Sequence, residues 1–110
     1  KLKGLYLDFN KLSRLPEEIG GLTLLEDFNV EDNSLVRLPT SVCKGALISL
    51  QGLYLQNNKL SALGFKPTLL PGLRKMSIGG NQFSKEEKKA LAKSMEEGGI
   101  ADTSADAGGS

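Results

Sequence analysis

The sequence predicts an α/β repeat solenoid, a short arc of four parallel strands closed by a C-terminal helix. Three observations predict it. Leucine supplies 20 of the 110 residues and tryptophan none, so the core has to be a repeated aliphatic unit. The pattern Leu-x-x-Leu-x-Leu-x-x-Asn-x-Leu recurs four times, with starts at Leu2, Leu25, Leu50 and Leu73 and periods of 23, 25 and 23 residues. Such a period marks stacked units that cannot bury their apolar face alone. After Phe83 the pattern gives way to a charged segment with helical signals.

The first unit runs Leu2, Leu5, Leu7, Asn10, Leu12, and the second Leu25, Phe28, Val30, Asn33, Leu35. The third is Leu50, Leu53, Leu55, Asn58, Leu60, and the fourth Leu73, Met76, Ile78, Asn81, Phe83. In Leu5-Tyr6-Leu7 the period-two alternation predicts a short strand with its leucines inward and Tyr6 outward. The asparagines stand where each chain leaves the sheet, and an inward amide there can bond the backbone groups freed by the turn. In the third unit the register selects Asn58 for that role and leaves Asn57 exposed.

The second unit is two residues longer, and the extra length falls around Cys43-Lys44-Gly45-Ala46, on the convex side. Cys43 reads there as a small apolar filler. Ser84-Lys85-Glu86-Glu87 reads as a capping box opening a helix over about 85–97, stopped by Gly98-Gly99. Leu91 and Met95 give that helix an apolar stripe able to cover the last strand. The domain is therefore expected over 1–97 and a disordered tail over 98–110, where the residues are small and polar. The flank of Leu2, Leu5 and Leu7 carries no cap, so upstream sequence or another chain is expected to cover it. A first residue of Lys1 suggests a piece of a longer protein.

These units resemble the leucine-rich repeat family over about residues 2–83. The pairs Leu15-Pro16 and Leu38-Pro39, each followed by an apolar residue three positions on, resemble the Leu-Pro subclass of Ras-suppressor-like and plant intracellular Ras-group-related proteins. The third unit departs from it, with Leu63-Gly64-Phe65-Lys66-Pro67 in place of the Leu-Pro pair. The resemblance implies a cytoplasmic scaffold or adaptor that binds proteins.

Composition narrows the chemistry further. With no histidine, the chain lacks Ser-His-Asp and Cys-His nucleophilic pairs, and Cys/His zinc sites. A single cysteine and the lack of an Asn-x-Ser/Thr acceptor favour a reducing compartment. A net charge of +1 argues against a nucleic-acid binder, and no apolar run is long enough for a membrane helix. No cofactor, metal or catalytic residue is expected.

Function is therefore expected on the outward columns of the parallel strands. Tyr6, Asn29, Tyr54 and Ser77 form one column, and Gly4, Asp27, Gly52 and Lys75 another. The second unit adds four acids, Glu26, Asp27, Glu31 and Asp32, whereas the fourth adds Arg74 and Lys75. The candidate partner-binding residues are Tyr6, Asp8, Glu26, Asp27, Asn29, Glu31, Tyr54, Gln56, Arg74 and Lys75, meeting a protein with a basic patch. The alternative is a structural subunit of a larger repeat array or of a cytoskeletal or ciliary assembly, contacted through its N-terminal edge. A phosphatase-regulatory adaptor ranks lower, and an enzyme lower still.

Overall fold

The computed structural model describes residues 2–103. The chain winds as a coil of strand, turn and convex segment, with extents of 36 × 31 × 24 Å. Strands β1 (Gly4–Tyr6), β2 (Asp27–Asn29), β3 (Gly52–Tyr54) and β4 (Lys75–Ser77) lie parallel in sequence order. Each covers the centre of one leucine pattern, where alternating apolar residues favour a pleated segment with one buried side. Phe28, Leu53 and Met76 are wholly buried from these strands, as are Val30 and Leu55 just beyond them.

The convex segments differ from unit to unit. A 3₁₀ turn spans Glu17–Gly21, a single α turn, α1, spans Thr40–Cys43, and a second 3₁₀ turn spans Pro67–Leu69. Proline stands immediately before the first two and opens the third, where its fixed φ suits entry into a helical turn. Leu15, Ile19, Leu38, Val42, Leu63 and Leu70 from this side close the core against the strands.

Charged groups tie one convex segment to the next. Both carboxylate oxygens of Glu17 accept from α1, at 2.9 Å from Thr40 N and 2.8 Å from Ser41 N. Glu17 therefore caps a helical turn one unit away, satisfying N–H groups that a helix start leaves unpaired. Those two backbone bonds hold its carboxyl below the usual range.

Helix α2 (Lys85–Glu97) closes the end of the stack, burying Leu91 and Met95. Its start differs from a reciprocal capping box. Ser84 Oγ accepts from Glu87 N at 3.1 Å, but the Glu87 carboxylate turns away and accepts from Leu63 N at 3.2 Å. Glu87 thereby joins the helix to the third unit, a longer-range use of the residue than the local motif predicts.

Four strands were expected, and the described residues contain five. Strand β5 (Ala101–Asp102) pairs parallel with β4, with Ala101 N donating to Arg74 O and Thr103 N to Met76 O. Ile100, buried to 7% exposure, anchors it, and its N–H donates to Met95 O at the end of α2. The expected tail is thus ordered at its start, because one apolar side chain and an open strand edge are enough to hold two small residues. Residues 104–110 of that tail lie outside the described residues.

Candidate functional site

The parallel register sets the rows of the concave face. Gly4, Asp27, Gly52, Lys75 and Ala101 are lateral partners, and so are Tyr6, Asn29, Tyr54 and Ser77. Backbone bonds continue the ladder beyond the strands, Phe9 N to Glu31 O, Asp32 N to Gln56 O and Asn57 N to Gly79 O. Asp8, Glu31, Gln56 and Gly79 therefore form a third row by the same period of two.

The four acids of the second unit, two adjacent pairs in sequence, separate in space. Asp27 and Glu31 lie on the concave face four positions apart, with Asn29 midway between them. Glu26 precedes the strand in a row with Lys3, Gln51 and Arg74, set by Glu26 N to Lys3 O, Gln51 N to Glu26 O and Arg74 N to Gln51 O. Asp32 sits in the turn, where its Oδ1 accepts from Asn57 Nδ2 at 3.0 Å. Of these four acids, Asp27 and Glu31 lie on the central face, where Asp8 of the first unit adjoins Glu31.

Glu31 is fixed across the sheet. Its Oε2 accepts from Ser77 Oγ at 2.9 Å, so the side chain reaches over β3 to β4. Ser77 is buried at 1% exposure, although its column faces outward. Sequence reasoning gave Ser77 a place in the column but no partner, since nothing in the local pattern links positions 31 and 77. Asn29 Oδ1 accepts from Glu31 N at 2.9 Å, which pins the backbone below the carboxylate.

Both tyrosines lean back along their strands over a glycine. A Cβ placed on Gly4 would meet Tyr6 Cε2 at 2.9 Å and Oη at 3.0 Å. One placed on Gly52 would meet Tyr54 Oη at 2.6 Å and Asp27 Oδ1 at 2.8 Å. The glycines at these two strand positions leave the space that the rings occupy, a role the sequence pattern did not reveal. Tyr6 remains 63% exposed, and Tyr54 is half-buried. Burial, then Asp27, then Tyr6 and Glu31, push the Tyr54 phenol above its ordinary range, so its hydroxyl stays protonated. Arg74 and Lys75 are exposed at the far end of the face.

The position before each turn asparagine adopts a left-handed backbone, with φ of 58° at Phe9, 57° at Asp32, 61° at Asn57 and 69° at Gly80. Gly80 is needed on space as well, because a Cβ there would collide with Asn57 Oδ1. Phe9 is the outlier, a bulky residue in this region and 77% exposed.

The asparagines form a ladder across units. Asn33 Nδ2 donates to Leu7 O, Val30 O and Glu31 O, and its Oδ1 accepts from Leu12 N. Asn58 does the same with Val30 O, Leu55 O and Leu35 N, and Asn81 with Leu55 O, Ile78 O and Leu60 N. Asn10 makes the local bonds alone, to Leu7 O and Asp8 O.

Cys43 is partly buried, its thiol 3.8 Å from Leu63 O and 3.9 Å from Leu38 O. Burial, and then Glu17, push that thiol up, away from thiolate chemistry. Two grooves of about 600 and 620 Å³ flank α2, and neither is lined by Tyr6, Asp27 or Tyr54. Among the described residues no group of three or more acidic or thiol side chains is placed to hold a metal ion. Nor is any helix among them long and apolar enough to cross a membrane.

Residues 1–22 match the family model described as Leucine Rich Repeat. Among solved structures, the chain is similar to a leucine-rich repeat protein of Leptospira interrogans, with 33% identity and a TM-score of 0.78 over 91% of this chain. The match covers 25% of that protein, so the chain spans about a quarter of its length. No curated protein sequence matches the chain.

Proposed function

We infer that this leucine-rich repeat solenoid is a non-enzymatic protein-interaction module that binds a protein partner on its concave strand face. The observation that carries the reading is the pairing of exposed or half-buried phenols with two carboxylates on the first three strands. A tyrosine ring buries area at low rotamer cost while its hydroxyl keeps a polar partner, which suits a contact surface. Tyr6, Asp8, Asp27, Asn29, Glu31, Tyr54 and Gln56 form the centre of the face, with Glu26, Arg74 and Lys75 on its margins. The partner presents a basic region there, and complementarity of charge sets on-rate and register more than affinity. The likeness to a leucine-rich repeat protein supports this class of function by analogy of fold. Leu15-Pro16 and Leu38-Pro39 support the Ras-suppressor-like subclass, and the lone Cys43 supports a cytoplasmic setting.

The test is crosslinked capture from native extract with the wild-type chain and a Tyr54→Ala, Glu26→Lys, Asp27→Lys variant of verified fold. Partners lost from the variant, with an affinity that falls as salt rises, support the concave face. Partners retained equally, or an affinity indifferent to salt, refute it.

A specific observation favours a second reading, contact through the β1 edge. Asn10 lacks the cross-unit bonds that Asn33, Asn58 and Asn81 make, and Leu2, at the other end of the same strand, is 47% exposed. Leu7 N and Phe9 N point toward β2, so the alternate amides of Tyr6 and Asp8 face outward. Protection of those two amides from hydrogen exchange on partner binding identifies this mode. Protection confined to Asp27, Asn29 and Tyr54 identifies the concave face instead.

A further inference from the structure

We propose that the gap above Asp27, between Tyr6 and Tyr54, seats an arginine side chain supplied by the protein partner. The proposal rests on the concave-face reading and names the chemistry of its central contact. Asp27 has Gly4 as its lateral partner on one side and Gly52 on the other. Neither neighbour in its row carries a side chain, and both vacant positions are covered by a phenol leaning back from two residues on. The row therefore reads ring, carboxylate, ring.

The dimensions fit a cation. Gly4 and Gly52 stand two strand spacings apart, about 9.6 Å. A cation seated over Asp27 would lie between the two phenols, each of which attracts a cation placed within roughly 6 Å of its ring face. Asp27 forms the floor, its Oδ1 drawn toward Tyr54, and Glu31 adds a second negative charge held in place by Ser77. The first basic residue in the row, Lys75, lies beyond Gly52, so no cation adjoins Asp27 from either neighbouring strand position.

A guanidinium suits this seat better than an ammonium. Its planar fork can donate two N–H groups to one carboxylate, and its flat face can stack on a phenol, whereas a lysine offers a compact and strongly hydrated charge. The seat thus accounts for the two features that a general solvated face leaves without purpose, the two strand glycines and the tyrosines folded over them.

The experiment titrates the isotope-labelled 110-residue chain with N-acetyl-arginine methylamide and, as a neutral isostere, N-acetyl-citrulline methylamide, following amide shifts. Saturable shifts at Asp27, Asn29 and Tyr54 are expected with arginine, and about tenfold weaker binding with citrulline, the scale of a charge-assisted hydrogen bond. Asp27→Asn is expected to weaken the arginine titration about tenfold, and Tyr54→Ala about threefold, the scale of an exposed cation–π contact. Equal titration by citrulline, or an Asp27→Asn variant that binds arginine as the wild type does, overturns the seat. The citrulline comparison uses the wild-type chain and does not depend on a variant folding. If face variants lose a captured partner yet arginine produces no shifts, the seat is overturned and the concave-face reading stands. If the same variants keep the partner, the concave-face reading is the one that fails.

Discussion

The first unit and the third carry the same pattern and differ in how completely it is buried. Leu53 and Leu55 are wholly buried, whereas Leu5 and Leu7, in the same slots, are half-buried. Asn58 bonds two units, and Asn10 bonds its own turn alone. Identical side chains thus contribute according to how completely a neighbouring unit covers them. Stability in this stack is a property of interfaces, as expected where each unit meets only its neighbours.

Substitution in matched pairs would break that comparison if it is wrong. Leu53→Ala is expected to lower unfolding free energy by about 2–5 kcal/mol, the range for a buried leucine. Leu5→Ala should cost less than about 2 kcal/mol, because much of its surface is already wet. Denaturant titration of both variants checks this, and equal losses would show that β1 is covered in solution. The asparagines give the next largest contrast. Asn58→Ala is expected to cost about 1–3 kcal/mol by stranding buried carbonyls and the Leu35 amide, and Asn10→Ala about 0.5–1 kcal/mol.

The smallest effect sharpens the comparison at the convex side. The folded pKa of Glu17 is lowered by its bonds to Ser41 and Thr40, so the ionised form is the one that holds α1. That contribution is present at neutral pH and is lost as pH falls from the unfolded glutamate range through the lowered folded value. The difference in melting temperature between wild type and Glu17→Gln should accordingly be largest near neutrality and close below about pH 4. A difference that does not change with pH would detach Glu17 from the stability of the first interface.

The fold class was legible because one physical requirement, burial of a leucine stripe, repeats four times at nearly constant spacing. The turn asparagines were legible for the same reason, down to Asn58 rather than Asn57. What escaped sequence reasoning depends on residues about one or two units apart. Glu17 meets Thr40, Glu87 meets Leu63 and Glu31 meets Ser77 through contacts that no local motif encodes. Strand β5 escaped because Ala101–Asp102 has no pattern of its own and is held by the open edge of β4. On the concave face the columns were legible from period two, but the collapse of Tyr6 and Tyr54 onto Gly4 and Gly52 depends on the direction each ring takes along its own strand, which the residue pattern does not encode.

The asparagine ladder also has a direction in time. Leu12 N is fastened by Asn33, Leu35 N by Asn58 and Leu60 N by Asn81, partners separated by 21, 23 and 21 residues. In each case the fastening side chain comes later in the chain. A ribosome therefore releases each of these three turns before it releases the amide that locks it, and closure trails synthesis by about one unit. The last of these locks, Asn81, precedes α2, so the helix arrives at a stack whose first three turns are already clasped, and the end of the fourth unit remains to be sealed.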